Sequence, residues 1–477
     1  MRTLASFLLL SGLPLAAATC DSLSSMKWNN TTITSAKTDD KGVCRVQATL
    51  RPSTDSDIKV EIRMPAGAAW NGKFMAVGNG GWSGAIQDAA LNEAVNRGYA
   101  AASTDTGHSG GSANFALGHP EKVIDFGYRS VHEMTLLGKE TVKAYYGSPA
   151  RLSYWNGCSA GGRQGMVEAQ RFPEDFDGII AGAPGLNWTG RAAQAVWVGQ
   201  ATHKDDASAL PQEKFAAIHN AVLEACDASD GVKDGVLENP SKCKFDPNVL
   251  LCKGADNASC LTAAQVETVK RIYTPVTNPR TKFEYFPGHI PGSEMGWNTM
   301  ASARPFAIGT DEFKYVVFGD ENWDYKTMNF DTDMEKALKT DVINAMNPDL
   351  SKFFAHNGKL LQYHGFADPQ ISPGSSTNYY KSVVEKMGPA KLGENYRMFM
   401  VPGMAHCGGG DGPNTFDMVS ALENWVEKGK APDSILASKM QNGQAVRTRP
   451  LCPYPQVAVY KGSGSTDDAA NFSCKAQ

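Results

Sequence analysis

The sequence predicts an α/β protein whose largely parallel sheet is interrupted by a long insertion. Strand-like and helix-like segments alternate over residues 46–146. A strand-like run at 152–155 then leads into Gly157-x-Ser159-x-Gly161, and helix-like residues follow the motif. After Pro184 the chain becomes rich in helices and loops, and the sheet pattern resumes at Leu360.

Strand and helix candidates divide the chain into three parts. The strand candidates are 59–64, 73–77, 99–103, 152–155, 360–365 and 396–401, and the helix candidates are 88–97, 131–146 and 416–428. We therefore expect a catalytic domain formed by residues 19–185 and 349–477. Residues 186–348 form the insertion, which we expect to lie over the sheet.

Composition and charge narrow the class of protein. The chain has 477 residues, of which 42% are apolar and 20% charged, and its formal net charge is −4 with no basic or acidic block. Nothing in this balance predicts a nucleic-acid or anionic-membrane partner. A globular protein acting on a small or neutral substrate fits better.

The N-terminus has the features of a secretory signal peptide. Arg2 supplies the positive charge, residues 4–15 form a short apolar run, and Ala16, Ala17 and Ala18 provide a small-residue cleavage site. We therefore expect residues 1–18 to be removed and the mature protein to be extracellular. No later apolar run is long enough to span a membrane.

Ten cysteines are consistent with an oxidising compartment. Their spacing favours the local pairs Cys20–Cys44, Cys226–Cys243, Cys252–Cys260 and Cys452–Cys474, which leaves Cys158 and Cys407 for each other, although spacing alone does not prove the pairing. Five sequons also agree with secretion: Asn29, Asn30, Asn187, Asn257 and Asn471.

Ser159 has the sequence context of a nucleophile elbow. Such an elbow is a sharp strand-to-helix turn with a serine at its apex, and small flanking residues let the two backbones approach closely. A serine nucleophile also needs a general base and a carboxylate that orients the base.

Asp368 and His406 are the predicted acid and base. Each lies just beyond a predicted strand, and the order Ser159, Asp368, His406 is that of α/β-type serine hydrolases. Taken singly, each residue is more simply a turn former or a surface side chain. His364 and His108 are rival bases, but His364 is only four residues from Asp368 and His108 precedes the serine.

The cysteines beside these residues support the same site. Cys158 adjoins Ser159 and Cys407 adjoins His406. A disulfide needs Cα atoms within about 7 Å, so a Cys158–Cys407 bond would hold base and nucleophile together. An unrelated pair of structural cysteines is the alternative.

Backbone amides are predicted to bind the oxyanion that forms during acyl transfer. Ala160 follows the nucleophile and offers one N–H, and the glycine-rich loop 78–82 offers a second, for which we choose Gly81. A plain turn is the alternative for this loop.

The run 227–236 is a candidate calcium loop. It places Asp227, Asp230 and Asp234 among glycines, and the carbonyls of Val232 and Val236 would complete a shell of hard oxygen ligands. The spacing differs from an EF-hand, and a solvated acidic turn is an equally good reading. We expect a structural ion, since no nucleophile candidate is nearby in sequence.

These residues together resemble the tannase and feruloyl esterase family. The motifs are Gly157-Cys158-Ser159-x-Gly161-Gly162-Arg163-x-Gly165, Asp368, His406-Cys407 and Cys226-Asp227-x-x-Asp230-Gly231-x-x-Asp234-Gly235-Val236, followed by Cys243-x-Phe245-Asp246-Pro247. The resemblance runs over nearly the whole mature chain. It implies an α/β-hydrolase fold with a lid inserted between nucleophile and acid. It also implies a Cys158–Cys407 disulfide and a lid Ca²⁺ on Asp227, Asp230, Asp234 and the carbonyls of Val232 and Val236.

The resemblance also implies the activity. It predicts a secreted carboxylesterase that acts on ferulate-type esters of plant cell-wall polysaccharides and needs no organic cofactor. A tannase acting on gallate esters is the nearer alternative. A non-catalytic secreted binding protein on the same scaffold is the alternative from another class.

Overall fold

A nine-stranded sheet forms the centre of the protein. The computed structural model describes residues 17–476, so most of the predicted signal peptide lies outside the described residues. The sheet strands are β1 (Thr31–Thr38), β2 (Cys44–Leu50), β3 (Ile58–Met64), β4 (Lys73–Val77), β5 (Ala100–Thr104), β6 (Leu152–Cys158), β7 (Gly178–Gly182), β10 (Lys359–Gly365) and β11 (Tyr396–Val401). Their spatial order is β1-β2-β3-β5-β4-β6-β7-β10-β11.

Strand directions agree with an α/β-hydrolase sheet. The run β5-β4-β6-β7-β10-β11 is parallel throughout, whereas β3 pairs antiparallel with both β5 and β2. Strand β1 continues the antiparallel edge. The predicted α/β class with a largely parallel sheet is confirmed.

Helices cover both faces of the sheet and also occur in the insertion. They are α1 (Asp88–Asn96), α2 (Pro120–Ile124), α3 (Ser130–Tyr146), α4 (Ala160–Arg171), α5 (Trp188–Thr202), α6 (Phe215–Cys226), α7 (Ala263–Tyr273), α8 (Ala307–Asp311), α9 (Thr332–Lys339), α10 (Ser351–Ala355), α11 (Gly374–Met387), α12 (Pro389–Asn395) and α13 (Met418–Lys428). Helix α13 begins two residues after the predicted start because Asp417 caps it, accepting from the Ser420 N–H at 3.0 Å.

The core lies on the two faces of the sheet. Trp155 and Leu360 belong to one apolar cluster, which also contains side chains of α3, α4 and α11. Their sequence neighbours Tyr154 and Leu361 belong to a second cluster, which includes side chains of α1 and α13. Consecutive strand residues point to opposite faces, so the continuous apolar runs of the sequence mark strands buried on both sides.

The insertion contributes no strand to the main sheet within described residues 183–358. It holds α5 to α9 and a small hairpin of β8 (Val276–Thr277) and β9 (Glu284–Phe286). We call residues 186–348 the lid, and these bounds stay a prediction. After the sheet, two antiparallel pairs close the chain, β12 (Ile435–Gln441) with β13 (Gln444–Leu451) and β14 (Gln456–Tyr460) with β15 (Phe472–Ala476).

All five predicted disulfides are present. They join Cys20 to Cys44, Cys158 to Cys407, Cys226 to Cys243, Cys252 to Cys260 and Cys452 to Cys474. Within residues 17–476, none of the helices has the length and apolar character needed to cross a membrane.

The sequons differ in how accessible they are. Asn29, Asn30 and Asn257 are exposed. Asn187 is half-buried, and its amide caps α5 by accepting from Gly190 N–H while donating to the Tyr285 carbonyl. Asn471 is also half-buried and donates to the Ser465 carbonyl. The structure thus argues against a glycan on Asn187 or Asn471, since the nitrogen that would carry it faces protein.

Candidate active site

Ser159 lies at a strained turn between β6 and α4. Its φ is 63° and its ψ is −122°, a conformation that L-residues seldom adopt. The Ser159 N–H donates to the Gly182 carbonyl at 2.9 Å, and its own carbonyl accepts from Arg163 and Gly185 N–H groups. The turn is therefore held by backbone bonds, and the half-buried side chain projects from its apex.

The glycines around Ser159 are required by close backbone contacts. A Cβ at Gly157 would lie 2.5 Å from the Gly161 carbonyl oxygen, and one at Gly162 would lie 2.3 Å from the Gly182 oxygen. A Cβ at Gly78 would lie 2.4 Å from Gly161 Cα. Loop 78–82 therefore lies directly against the first turn of α4.

The Cys158–Cys407 disulfide joins the segment of the nucleophile to that of the base. The Cα atoms are 6.1 Å apart across 249 positions of sequence. Cys407 also has a positive φ, at 60°. The disulfide therefore holds the two segments that carry Ser159 and His406 next to each other.

Asp368 is fully buried and accepts four hydrogen bonds. One carboxylate oxygen accepts from His406 Nδ1 at 2.7 Å and His364 Nε2 at 3.1 Å. The other accepts from the N–H groups of Gln370 and Ile371 at 2.8 and 3.0 Å. Burial alone would raise the pKa of Asp368, but the charge of His406 and the bonds from both histidines outweigh it and lower that pKa.

His406 is oriented by Asp368 and lies at the rim of the site. Its loop is joined to the acid loop by a bond from the Ala367 N–H to the Met404 carbonyl, at 2.9 Å. Nδ1 faces Asp368, so Nε2 is the nitrogen left for a nucleophile. No hydrogen bond joins Ser159 Oγ to His406 in the described part of the chain, as is common before a substrate binds.

Neither rival histidine is positioned as a base. The Nε2 of His364 faces Asp368 and the Ile371 carbonyl, and its Nδ1 faces Ser376 Oγ. His108 stacks on Phe115 with ring centroids 3.9 Å apart, and its Nε2 lies 2.8 Å from the Trp82 carbonyl. His108 therefore supports loop 78–82.

Two amide side chains lock that loop to α4. Gln164 accepts from the Asn79 N–H at 3.0 Å and donates to the Asn79 side chain at 3.2 Å. Gly81 has a φ of 49°, and a Cβ there would lie 2.9 Å from Ile308 Cδ1 of the lid. The loop and Ala160 are thus held close together, and Gly81 as the second oxyanion donor stays a prediction.

An aromatic cluster adjoins Ala160 beneath the lid. The Trp82 ring lies 4.6 Å from Phe126 and 4.8 Å from Trp188, centroid to centroid. Trp82 Nε1 donates to the lid carbonyl of Ile308 at 3.0 Å. These rings make the surroundings of the nucleophile apolar and aromatic.

Arg163 connects the elbow helix to the lid. It is fully buried and donates to the carbonyl oxygens of Phe126, Gly127 and Ile343. Burial lowers its pKa to about 10. The motif Gly162-Arg163 therefore serves packing, a role that short-range sequence patterns do not reveal.

The run 227–236 folds around a small cavity of about 10 Å³. Asp230, Val232, Asp234 and Val236 are among the residues that line it. Asp227 is not in the lining, because its carboxylate accepts from the N–H groups of Asp234 and Gly235.

Glu238 also lines this cavity, and it was not among the candidate calcium ligands predicted from the sequence. Its carboxylate is buried, accepts from the Ala458 N–H at 2.7 Å and lines the same cavity. Burial raises its pKa to about 8, and the nearby charges of Asp230 and Asp234 act in the same direction. Asp230, Asp234 and Glu238 line a space for one small ligand, and carboxylates suit a hard divalent cation, although their oxygens do not all lie within 4.8 Å of one another. Buried Arg449 lines the same cavity and pairs with Asp234.

Comparison with known proteins identifies the family. The sequence matches the family described as tannase and feruloyl esterase over residues 44–475. The chain belongs to this family. It is 38% identical to an uncharacterised esterase of Xanthomonas campestris, over 99% of this chain and 94% of that protein. It is 36% identical to a probable feruloyl esterase B-2 of Aspergillus terreus, over 91% of this chain and 86% of that one.

Solved structures agree with the family. Feruloyl esterase B from Aspergillus oryzae superposes with a TM-score of 0.90 at 32% identity, covering 96% of this chain and 99% of that chain. Tannin acyl hydrolase from Aspergillus niger superposes with a TM-score of 0.81 at 23% identity, covering 96% and 95%, and shows the shared fold. The α/β-hydrolase fold and the prediction of a carboxylic ester hydrolase of this family are thereby confirmed.

Proposed function

We propose that the protein is a secreted serine carboxylesterase that hydrolyses hydroxycinnamate esters of plant cell-wall polysaccharides through an acyl-enzyme. The main support is the bond from His406 Nδ1 to buried Asp368, on a loop tied by Cys407 to the neighbour of Ser159. This arrangement provides a base, its orienting carboxylate and a half-buried nucleophile in one site.

The chemistry follows from these positions. His406 Nε2 takes the proton of Ser159 as Oγ attacks the ester carbonyl carbon. The N–H of Ala160 and those of loop 78–82 stabilise the negative oxygen. His406 returns the proton to the leaving alcohol, the C–O bond breaks, and the acyl group remains on Ser159. Water then attacks the acyl carbon while His406 takes its proton, the bond from Ser159 Oγ to the acyl group breaks, and His406 returns the proton to Oγ as the aromatic acid leaves.

Two observations support an aromatic acyl group. The rings of Trp82, Phe126 and Trp188 belong to one apolar cluster with Ala160, the residue that follows Ser159. Relatives at 32–36% identity are named feruloyl esterase B. The relative named tannin acyl hydrolase is 23% identical and bears on the fold alone.

A substrate panel tests the proposal. Wild-type protein and Ser159→Ala are compared on methyl ferulate, caffeate, p-coumarate and gallate, with ester hydrolysis followed by chromatography. We expect turnover of the hydroxycinnamates by the wild type and none by the variant. Preference for gallate would make the protein a tannase, and hydrolysis retained by Ser159→Ala would overturn the serine mechanism. A non-catalytic binding protein would hydrolyse none.

We further propose that the lid loop binds a structural Ca²⁺. Asp230, Asp234, Glu238 and the carbonyls of Val232 and Val236 would hold it, with Asp227 bracing the loop. When bound, the ion supplies positive charge that offsets the buried carboxylates. It has no part in the proposed reaction.

A further inference from the structure

A chain of buried hydrogen bonds leads from the far side of β11 to the catalytic acid. The Tyr396 hydroxyl donates to the side-chain oxygen of Gln362. Gln362 Nε2 donates to Ser376 Oγ at 2.7 Å, and Ser376 Oγ lies 2.7 Å from His364 Nδ1. All four side chains are at most 1% exposed, and the chain ends on Asp368.

The direction of each hydrogen bond in this series follows from which groups have a proton to donate. Burial raises the pKa of Tyr396 well above its usual value, so the hydroxyl keeps its proton. In the described part of the chain, the oxygen of Gln362 is the only partner of that hydroxyl, so Tyr396 donates. The amide nitrogen of Gln362 must then donate to Ser376. Ser376 accepts from Gln362 and still has its own proton to donate, and in a neutral His364 ring protonated on Nε2 the facing Nδ1 is an acceptor, so Ser376 donates to it.

The other nitrogen of His364 faces two acceptors. Nε2 lies 3.1 Å from an oxygen of Asp368 and 3.0 Å from the Ile371 carbonyl. Neither oxygen can donate, so the proton of His364 is on Nε2. The Ile371 N–H in turn donates to the other oxygen of Asp368 at 3.0 Å. His364 thus bridges the carboxylate and the backbone of the loop that carries it.

We propose that Tyr396, Gln362, Ser376 and His364 form a positioning relay that fixes the carboxylate of Asp368 toward His406. His364 is a positioning residue, because it acts through Asp368 and does not reach the reacting atoms. Its donated proton occupies one lone pair of the oxygen shared with His406, so the carboxylate can neither rotate nor move toward the lid without breaking that bond. The assignment of Asp368 as catalytic acid rests on the proposed function, but the direction of the relay does not.

Hydroxyl deletions test the relay. Ser376→Ala removes the donor to His364, and Ser375→Ala is the matched control, because it removes the neighbouring buried hydroxyl, which has no hydrogen-bond partner within residues 17–476. We expect Ser376→Ala to lower kcat on methyl ferulate by about 10- to 100-fold, the cost of a misplaced catalytic group, with KM nearly unchanged. The acidic limb of its kcat/KM profile should move to higher pH, since a His364 that is no longer held by Ser376 donates less strongly to Asp368 and leaves more of that negative charge facing His406.

A second variant guards against a folding defect. Tyr396→Phe acts at the other end of the relay and should change kcat and the pH profile in the same direction by a smaller factor. The relay is overturned if Ser376→Ala and Tyr396→Phe match Ser375→Ala in kcat and in the acidic limb while circular dichroism shows all three folded.

Histidine NMR separates this proposal from the proposed function. In full-length protein with ¹⁵N-labelled histidines, the resonances of His364 are assigned by their loss in His364→Gln. We expect an unprotonated Nδ1 and a protonated Nε2. A protonated Nδ1 would overturn the direction of the relay, whatever the activity. A wild type that hydrolyses no ester while showing the expected tautomer would refute only the proposed function.

Discussion

Ser159 and Asp368 are held in opposite ways. Ser159 is fixed by its backbone, through the φ of 63° and the bond to the Gly182 carbonyl. Asp368 is fixed by its side chain, which accepts four hydrogen bonds. Because the pKa of Asp368 is lowered, this carboxylate stays ionised, and keeps its hydrogen bond from His406, until the pH falls through that low pKa. Loss of activity above about pH 4 therefore cannot come from protonation of Asp368.

Asp368→Asn tests the acid. The amide keeps the shape but can present an N–H to His406, which places the proton of the ring on the wrong nitrogen. We expect kcat to fall by about 10³- to 10⁴-fold with the fold intact, measured on methyl ferulate and by circular dichroism. Asp349→Asn, at a half-buried site that caps Ser351, is the control. Equal loss in both variants would contradict a specific role for Asp368.

The roles of Ser159 and its neighbours could be predicted from the sequence because each role depends on a short motif next to a predicted strand. Asp368 and His406 follow strands in the order that the chemistry requires. The roles of His364, His108 and Glu238 depend on partners brought together by the fold. Ala458, which binds Glu238, lies 220 positions away, and no short-range pattern encodes such a contact.

At the scale of elements, the elbow depends on how closely β6, α4 and the segment after β7 approach one another. Strand β6 extends to Cys158, beyond the predicted end at 155, so α4 begins immediately after Ser159. The motif predicted this turn because only glycine tolerates the contacts at Gly157 and Gly162. The extension depends on the pairing of β6 with β7. The last pair of this ladder joins Cys158 of β6 to Gly182 of β7.

Gly162→Ala tests the close approach. The new methyl would lie 2.3 Å from the Gly182 oxygen, so a backbone must shift. We expect a loss of at least about 1–3 kcal/mol in the free energy of unfolding, read from urea denaturation. Gly393→Ala in α12 is the matched control, since a Cβ there would lie 3.7 Å from its nearest neighbour, the Arg397 side chain, and alanine favours a helix by about 0.5–1 kcal/mol. A Gly162→Ala protein as stable as wild type would show that the packing is looser than described.

The disulfide of the site should matter more for activity than a local one. The double variant Cys158→Ser/Cys407→Ser releases the His406 loop, and closing so long a loop contributes about 5 kcal/mol in the entropy model. We expect large losses of kcat and of stability. Cys252→Ser/Cys260→Ser, which opens a bond spanning 8 positions, should retain kcat. Similar kcat values for the two double variants would refute a positioning role for the Cys158–Cys407 bond.

At the scale of the molecule, the lid is attached to the C-terminal strands through the candidate calcium loop. Arg449 pairs with Asp234, Arg447 donates to the Asp234 carbonyl at 2.9 Å, and the Ala458 N–H donates to Glu238. His219 of α6 lies 3.6 Å from Asp411, in the loop that follows His406. The lid is therefore joined to the catalytic domain on the side of the base.

Chelation tests the proposed ion. An ion bound only by the folded protein at 100 times its Kd adds about 2.7 kcal/mol to the free energy of unfolding. We expect EDTA to lower Tm and added Ca²⁺ to restore it, measured by differential scanning fluorimetry. Asp230→Asn should have a lower Tm that EDTA no longer changes, whereas Asp246→Asn, on the lid surface, should respond like wild type. A Tm insensitive to EDTA and Ca²⁺ in wild type would remove the calcium site from the account.

Trapping the acyl-enzyme tests the central claim most directly. Methyl ferulate is mixed with wild-type protein, the reaction is quenched in acid within its first turnovers, and the digested protein is analysed by mass spectrometry. We predict a feruloyl group on the peptide that contains Ser159 and its absence from Ser159→Ala treated in the same way. Hydrolysis without a Ser159 adduct, or an adduct on another residue, would contradict the account.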